Sequence, residues 1–180
     1  MINKQFTAVI TFALLLLPLI AACQPGTHNM TPTNKQLGVE TLYASQQCGR
    51  NQTTPSATWI DNAQQLETSL KRIQGTILGG KPLSLPELDF QHDIALLIEM
   101  GQRPTLGYQI SLAETDELCI TQGLAHLTLN WTQPSTDAMV AQMISSPCLL
   151  LKLERGNYRS IQILDRQNII KIEVHSLDFQ

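Results

Sequence analysis

The feature that most constrains the fold is a series of short apolar runs that recur at close intervals after residue 93. Ile94–Met100 is nearly continuous in apolar residues, which is typical of a strand buried on both faces. Leu124–Thr132 alternates instead, so that one face is predicted to be wet. Further runs of strand length lie at 39–47, 57–60, 107–113, 148–153, 160–164 and 169–174. Strands at this spacing, separated by turn residues, predict an antiparallel β-sandwich or open barrel.

One helix is predicted near residues 62–74. Asn62, followed three positions later by Gln65, resembles a capping box at a helix start. Leu66, Leu70 and Ile73 then recur at helical spacing and form one apolar face. The expected fold is therefore mostly β, α+β in detail, with about seven or eight short strands and one helix packed on the sheet.

The N-terminal segment has the pattern of a lipoprotein export signal. An apolar stretch from Phe6 to Ile20 is too short to span a bilayer comfortably and fits the core of a signal peptide. It ends in Ile20-Ala21-Ala22-Cys23, which resembles the lipobox of bacterial lipoproteins. We predict a signal peptide at 1–22, lipidation of Cys23, a polar tether at 23–38 and one folded domain at 39–180. An ordinary secretory signal that happens to end near a cysteine is the alternative.

This reading predicts a location and a membrane contact. Acyl chains on Cys23 would anchor the protein to a membrane, because each buried methylene contributes about 0.8 kcal/mol. Gln24 follows the cysteine, where an aspartate would indicate retention in the inner membrane of enteric-type bacteria. The expected location is therefore the periplasmic face of the outer membrane.

Charge and motifs remove several classes of function from consideration. Twelve basic and fifteen acidic residues give a net charge of −3 and a pI near 5.7, unlike the basic domains that bind nucleic acids. No CxxC, HExxH, GxSxG or glycine-rich phosphate loop is present. Asp89 and Asp93 beside His92 are expected to be solvated rather than to bind a cation. We therefore expect no enzyme, and nominate no catalytic residue, metal, cofactor or small-molecule substrate.

Three cysteines follow Cys23. The periplasm is oxidising, so one pair is expected to be bridged, and three pairings are open on the sequence alone. Cys48 lies in a polar turn, Cys148 begins a strand, and Cys119 lies between Leu118 and Ile120, a setting that fits a buried strand thiol. These settings favour a Cys48–Cys148 bridge with Cys119 free.

The segment between the third and fourth predicted strands stands out from the other turns. Pro104 fixes its own φ and restricts Arg103, whereas Gly107 tolerates positive φ. Tyr108 adds a large ring with a polar tip. The segment is either a stiff turn with Tyr108 in the core or a preorganised binding loop that presents Arg103 and Leu106 outward. The candidate binding loop comprises Arg103, Pro104, Thr105, Leu106, Gly107 and Tyr108.

A family resemblance follows from these motifs. Asp89-Phe90, an apolar strand, Gly101-x-x-Pro104-Thr105-x-Gly107-Tyr108 and Gln142-x-x-x-Ser146-Pro147-Cys148 together resemble the PrcB family of bacterial envelope proteins. The resemblance covers about residues 40–165, with Leu106 where the family typically has glycine. It implies a non-catalytic protein-binding or protease-accessory role, with an envelope protein or protease as partner. The family-like context of Cys148 also supports its pairing with Cys48.

Two alternative functions remain open. The loop is similar, more weakly, to the Asn-Pro-Thr-Thr-Gly-Tyr loop of chagasin-type inhibitors of cysteine proteases, which are β-sandwiches; Arg103 takes the place of the asparagine. That similarity implies a protease inhibitor. A third possibility is a purely structural envelope lipoprotein, which would have no stoichiometric partner.

Overall fold

The computed structural model describes residues 35–49, 51–74, 87–113 and 117–176. Within them lie nine strands and one helix, in the order β1 (Lys35–Ser45), β2 (Ser56–Ile60), α1 (Ala63–Gln74), β3 (Asp93–Glu99), β4 (Gln109–Leu112), β5 (Glu117–Thr121), β6 (Leu124–Thr132), β7 (Cys148–Glu154), β8 (Ser160–Leu164) and β9 (Ile170–His175). The predicted signal peptide, Cys23 and the predicted tether up to residue 34 lie outside the described residues.

The strands form one sheet that curls into a nearly closed barrel. Its order is β2-β3-β7-β1-β5-β6-β8-β9, and β4 pairs with the second half of β6. The two ends of this order come together, since Trp59 of β2 packs its ring 5.8 Å from that of Tyr158, beside β8. The mostly β fold with an open barrel and one helix is confirmed.

Strand β3 is buried on both faces, as its continuous apolar run predicts. Ile94, Leu96 and Ile98 point into the large core inside the barrel, while Ala95 and Leu97 belong to a second core on the outer side of the sheet. Helix α1 covers that second core with Leu66, Leu70 and Ile73. Strand β7 has the same arrangement beside β3, so the two strands form the central wall of the molecule.

The helix begins and ends with specific contacts. At its start, the amide of Gln65 donates to Asn62 Oδ1 at 2.9 Å, and Gln65 Oε1 accepts from the amide of Asp61 at 3.0 Å. Near its end, Arg72 donates two hydrogen bonds, 2.8 and 2.9 Å long, to the carboxylate of Glu99. Glu99 is completely buried, so this bidentate pair provides its charge compensation and holds the last turn of α1 against β3.

Three details differ from the sequence-based expectation. Strand β1 begins at Lys35, four residues before the predicted domain boundary, because Leu37 is buried and residues 35–38 pair with β5. Strand β5 is a ninth strand: only Cys119 and its two neighbours were expected to be strand-like, and the five-residue run is too short to stand out. Finally, β6 and β8 pair in parallel, because the chain passes through β7 on the opposite wall before it returns as β8.

Candidate partner-binding site

Three irregular segments meet at one end of the barrel, where β3 ends and β7 begins. They comprise residues 46–49 and 51–53 after β1, residues 100–108 between β3 and β4, and residues 133–147 between β6 and β7. We call this the loop end. β1 starts at the opposite end, because Lys35–Ser45 runs the length of the barrel, about 33 Å at the usual rise per residue.

Backbone hydrogen bonds tie the three segments together. The amide of Gln102 donates to Gln52 O at 2.7 Å, and Arg103 and Ser145 exchange a pair of bonds of 2.8 and 3.0 Å. The buried hydroxyl of Ser145 adds a bond to Thr105 O at 2.7 Å. The amide of Leu106 donates to Ala141 O at 3.1 Å. These irregular segments therefore form a braced unit rather than three independent loops.

Two glycines make the close approach of these segments possible. Gly101 has a φ of +79°, and a Cβ at this position would lie 2.6 Å from Gln52 O and 2.8 Å from Thr53 O. Gly107 has a φ of +92°, and a Cβ there would lie 3.2 Å from side-chain atoms of Pro134 and Val140. Positive φ is strained for other residues, so both positions favour glycine on conformation and on space.

The Arg103 side chain does not project outward. This differs from the hypothesis of a binding loop that presents Arg103 at the surface. Its Nη2 donates to Met100 O at 2.5 Å, and its Cζ lies 5.8 Å from the centroid of the Tyr108 ring. Nε is buried and has no hydrogen-bond partner in the described part of the chain. Arg103 turns back because an acceptor and an aromatic face lie within its reach, so it stiffens the loop.

The remaining residues of the candidate loop divide into buried and exposed parts. Tyr108 is half-buried and packs against the large core, as the simple-turn interpretation expected. Thr105 and Leu106 are also half-buried, so Leu106 is presented less fully than predicted, whereas Pro104 and Gly107 are exposed. The accessible part of the loop is therefore small, and its one charged side chain, Arg103, is directed at Met100 O and the Tyr108 ring.

The structure pairs Cys48 with Cys148, with a Cα–Cα separation of 5.9 Å. The bridge joins the first of the three segments to the start of β7, next to the bond from the Cys48 amide to Ser146 O. Both cysteines are buried in the outer core under α1. Cys119 lies on β5 and takes no part in the disulfide; it is half-buried and distant in the sheet from the bridge.

An exposed apolar patch lies beside the loop and was not identified from the sequence. Met139, Met143 and Ile144 are 102%, 53% and 58% exposed. We call these three residues the apolar platform. Their backbone is held to the loop through Ala141 and Ser145. The available sequence signal was weak: residues 133–147 carry four large aliphatic side chains and a single charge, Asp137, without strand or helix periodicity.

Away from the loop end, several titratable side chains of the described residues lie in ion-pair contacts. His92 Nδ1 lies 2.7 Å from Asp89 Oδ2, and this contact raises the pKa of His92 and lowers that of Asp89. Asp93 lies 3.8 Å from Lys152 Nζ. Residues 35–49, 51–74, 87–113 and 117–176 contain no group of three potential metal ligands. In the same residues, no helix is long and apolar enough to cross a membrane.

Comparison with known proteins finds a similarity that covers the central wall and part of the loop end. Residues 94–154 match a family model described as PrcB C-terminal, which is 61 of the 180 residues. No curated protein and no solved structure matches the chain. The matched span begins with the first fully buried residue of β3 and ends with the last residue of β7, so it contains the loop and residues 133–147. The match supports assignment of the chain to the PrcB C-terminal family.

Proposed function

We propose that this protein is a non-catalytic accessory component of a bacterial envelope protease complex, anchored to the outer membrane through lipidated Cys23. Its loop end would contact the partner protein. The family description supports a role in a protease complex. The lipobox pattern at residues 20–23 supports the anchor.

One observation carries the assignment of the contact to the loop end. The family match spans two of the three segments that hydrogen bonds brace at this end, residues 100–108 and 133–147, and the bracing uses two positive-φ glycines and a buried serine. A turn that only reversed the chain would need none of these, since two residues suffice for a tight hairpin. A braced surface binds a partner at a low entropic cost, because its segments are already ordered.

A pull-down tests the accessory role. The intact chain is cross-linked in cells and purified from solubilised membranes, and we expect one envelope protein to co-purify in a fixed ratio. Pro104→Glu places a charge on the exposed tip of the loop and should weaken this co-purification. Gln167→Glu adds the same charge at the exposed turn before β9 and serves as the matched control. Absence of any stoichiometric partner would support a structural lipoprotein instead.

The inhibitor alternative is separated by an enzyme assay. A chagasin-like inhibitor should block papain-like proteases at sub-micromolar concentration without its lipid, whereas an accessory component should not. Inhibition that Pro104→Glu abolishes would replace the accessory role with the inhibitory one.

Fractionation tests the anchor. Cys23→Ser should move the protein from the outer-membrane fraction to a soluble or uncleaved form, because the thiol is the proposed site of acylation. Cys119→Ser keeps Cys23 and the bridge and is the control. Unchanged outer-membrane attachment of the Cys23→Ser protein would contradict the proposal.

A further inference from the structure

We infer that Met139 and Met143 form an oxidative modification site: hydrogen peroxide converts their thioethers to methionine sulfoxide on the folded protein, and the fold is kept. This inference goes beyond the proposed function and does not depend on it, because it concerns the reactivity of two side chains and not the identity of a partner.

The first step is the access of solvent to the methionine side chains. Met139 is 102% exposed and Met143 is 53% exposed, whereas Met100, the first residue after β3, is 3% exposed and belongs to the large core. These are the three methionines of the described residues. Hydrogen peroxide can therefore reach Met139 over its whole surface and Met143 over part of it. It reaches Met100 only when the structure opens.

The second step is the chemistry of the thioether. A lone pair of the polarizable sulfur attacks one oxygen of hydrogen peroxide, so that an S–O bond forms while the O–O bond breaks. The leaving hydroxide takes the proton of the transferred hydroxyl group and becomes water. The sulfur loses two electrons and the peroxide gains them. Hydrogen peroxide is uncharged, so the carboxylate of Asp137, exposed two positions before Met139, does not repel it.

The third step is that the backbone of this segment is held by hydrogen bonds between backbone atoms. Ala141 O accepts from the amides of Leu106 and Met143, at 3.1 and 2.9 Å, and Arg103 and Ser145 exchange a pair of bonds. An oxygen atom added to an exposed sulfur replaces none of these bonds. Water hydrates the new sulfoxide oxygen, so no buried polar group is created and the fold should persist.

Met100 is the opposite case. Its amide donates to Pro147 O at 2.9 Å, and its side chain lies in the large core. A sulfoxide at this position would bury a polar oxygen among apolar side chains, which is unfavourable. The structure therefore separates two methionines that can be oxidised with the fold intact from one whose oxidation requires the structure to open.

Oxidation at these positions would change the surface of the loop end. Each sulfoxide replaces a flexible apolar side chain by a polar and chiral one. The change is reversible, since methionine sulfoxide reductases, one enzyme for each epimer, return the thioether. The polarity of this surface would thus depend on exposure of the protein to peroxide.

Peptide mapping tests the inference on the intact chain in phosphatidylcholine nanodiscs. The protein is treated with excess hydrogen peroxide and quenched at intervals, and tandem mass spectrometry assigns each added oxygen atom to a residue. We expect Met139 to react fastest and Met143 next, and the rate constant of Met100 to be about tenfold or more below that of Met139. In urea-unfolded protein the three rate constants should agree within about twofold, because every sulfur is then exposed.

The variant Met139→Leu with Met143→Leu has Met100→Leu as its matched control, because leucine keeps the apolar character and most of the volume but has no sulfur. The first variant should lose the fast uptake of oxygen in the peptide that contains residues 139–143, and the control should retain it. Wild-type protein oxidised at these two positions alone should melt within about 2 °C of the untreated protein. The two reductases together should restore its original mass.

Three results would overturn the inference. They are oxidation of Met100 in the folded protein as fast as that of Met139, oxidation of Met143 no faster than that of Met100, and loss of folded structure when only Met139 and Met143 are oxidised. Co-purification of an envelope protein does not enter this test, so the inference and the proposed function can fail independently.

Discussion

The central wall and the loop end of this molecule are stabilised in different ways. Strands β3 and β7 are buried on both faces by apolar side chains of two separate cores. The loop end has little regular structure and is held by hydrogen bonds between segments, by positive-φ glycines and by one disulfide. The comparison shows how an irregular surface can be kept in a fixed shape by its attachment to a rigid wall.

The largest effect should come from the covalent link between the two regions. Replacing Cys48 and Cys148 together by alanine removes a bridge between residues 100 positions apart. The chain-entropy relation for a loop of this length gives a loss of about 4–5 kcal/mol in the free energy of unfolding. Urea denaturation of the variant and of Cys119→Ala, the control that keeps the bridge, measures it. A non-reducing peptide map that places Cys119 in a bridge would contradict the pairing.

A substitution in the wall should show the cost of lost packing. Leu96→Ala removes a fully buried side chain from the inner core and should lower the free energy of unfolding by about 3 kcal/mol. Leu96→Met conserves most of the volume and should cost less than about 1.5 kcal/mol. Equal losses for both variants would show that this position is limited by shape rather than by buried volume.

A substitution at the loop end should show the cost of backbone strain. Gly101→Ala places a Cβ against the backbone of residues 52 and 53 at a positive φ, and should cost about 2 kcal/mol or more. Gly38→Ala is the control, because it has open space around its Cβ position and no positive φ. Chemical denaturation of both proteins gives the difference. If Gly101→Ala leaves the free energy of unfolding unchanged, the loop end adapts to the added Cβ and is not braced.

Arg103→Ala should lower the free energy of unfolding by a smaller amount, about 1 kcal/mol. It removes the hydrogen bond to Met100 O and the stacking on Tyr108, and each is a modest contribution at a half-exposed position. The comparison variant is Arg103→Lys, which keeps the charge but loses the planar group. If Arg103→Ala lowers the free energy of unfolding by less than about 0.2 kcal/mol, the side chain is solvated, as the hypothesis of a presented Arg103 held.

The smallest effect should be a pH dependence away from the loop end, at the turn before β3. Asp89 raises the pKa of His92 above 6.5, so the pair stabilises the folded state below pH 6.5 and loses this contribution as the pH rises through the folded-state pKa. His92→Gln should reduce the loss of stability between pH 6 and 8 slightly, since both side chains are exposed. An unchanged pH profile of the unfolding midpoint would show that the contact is not maintained.

The comparison of the two regions also explains what could be predicted from the sequence. The wall follows from the continuous apolar run at 94–100, and the wet face of β6 follows from the alternation at 124–132, because burial leaves a periodic pattern. Strand β5 and residues 35–38 are short and mixed in composition, and their strand structure depends on pairing with each other and, for β5, with β6. The parallel pairing of β6 and β8 depends on the path of the chain between them, and a local sequence pattern does not determine that path.

The loop end could be predicted only in part. Its residues were identified from their restricted and permissive backbone positions, which are local properties of Pro104 and Gly107. The direction of Arg103 depends on Met100 O and Tyr108, and the bracing depends on Ser145, 42 positions later in the chain. The apolar platform has no periodicity, so its exposure becomes visible only once the three segments are seen together.

The central claim is that the partner lies on the loop end, and site-specific photo-crosslinking tests it most directly. A photoreactive amino acid is placed at position 143 or, as the control, at position 170, in the intact chain in living cells. The account predicts one discrete crosslinked product from position 143 and none from position 170, although both side chains are about half exposed. A product from position 170 with none from position 143 would place the partner on the β8–β9 turn and contradict the account.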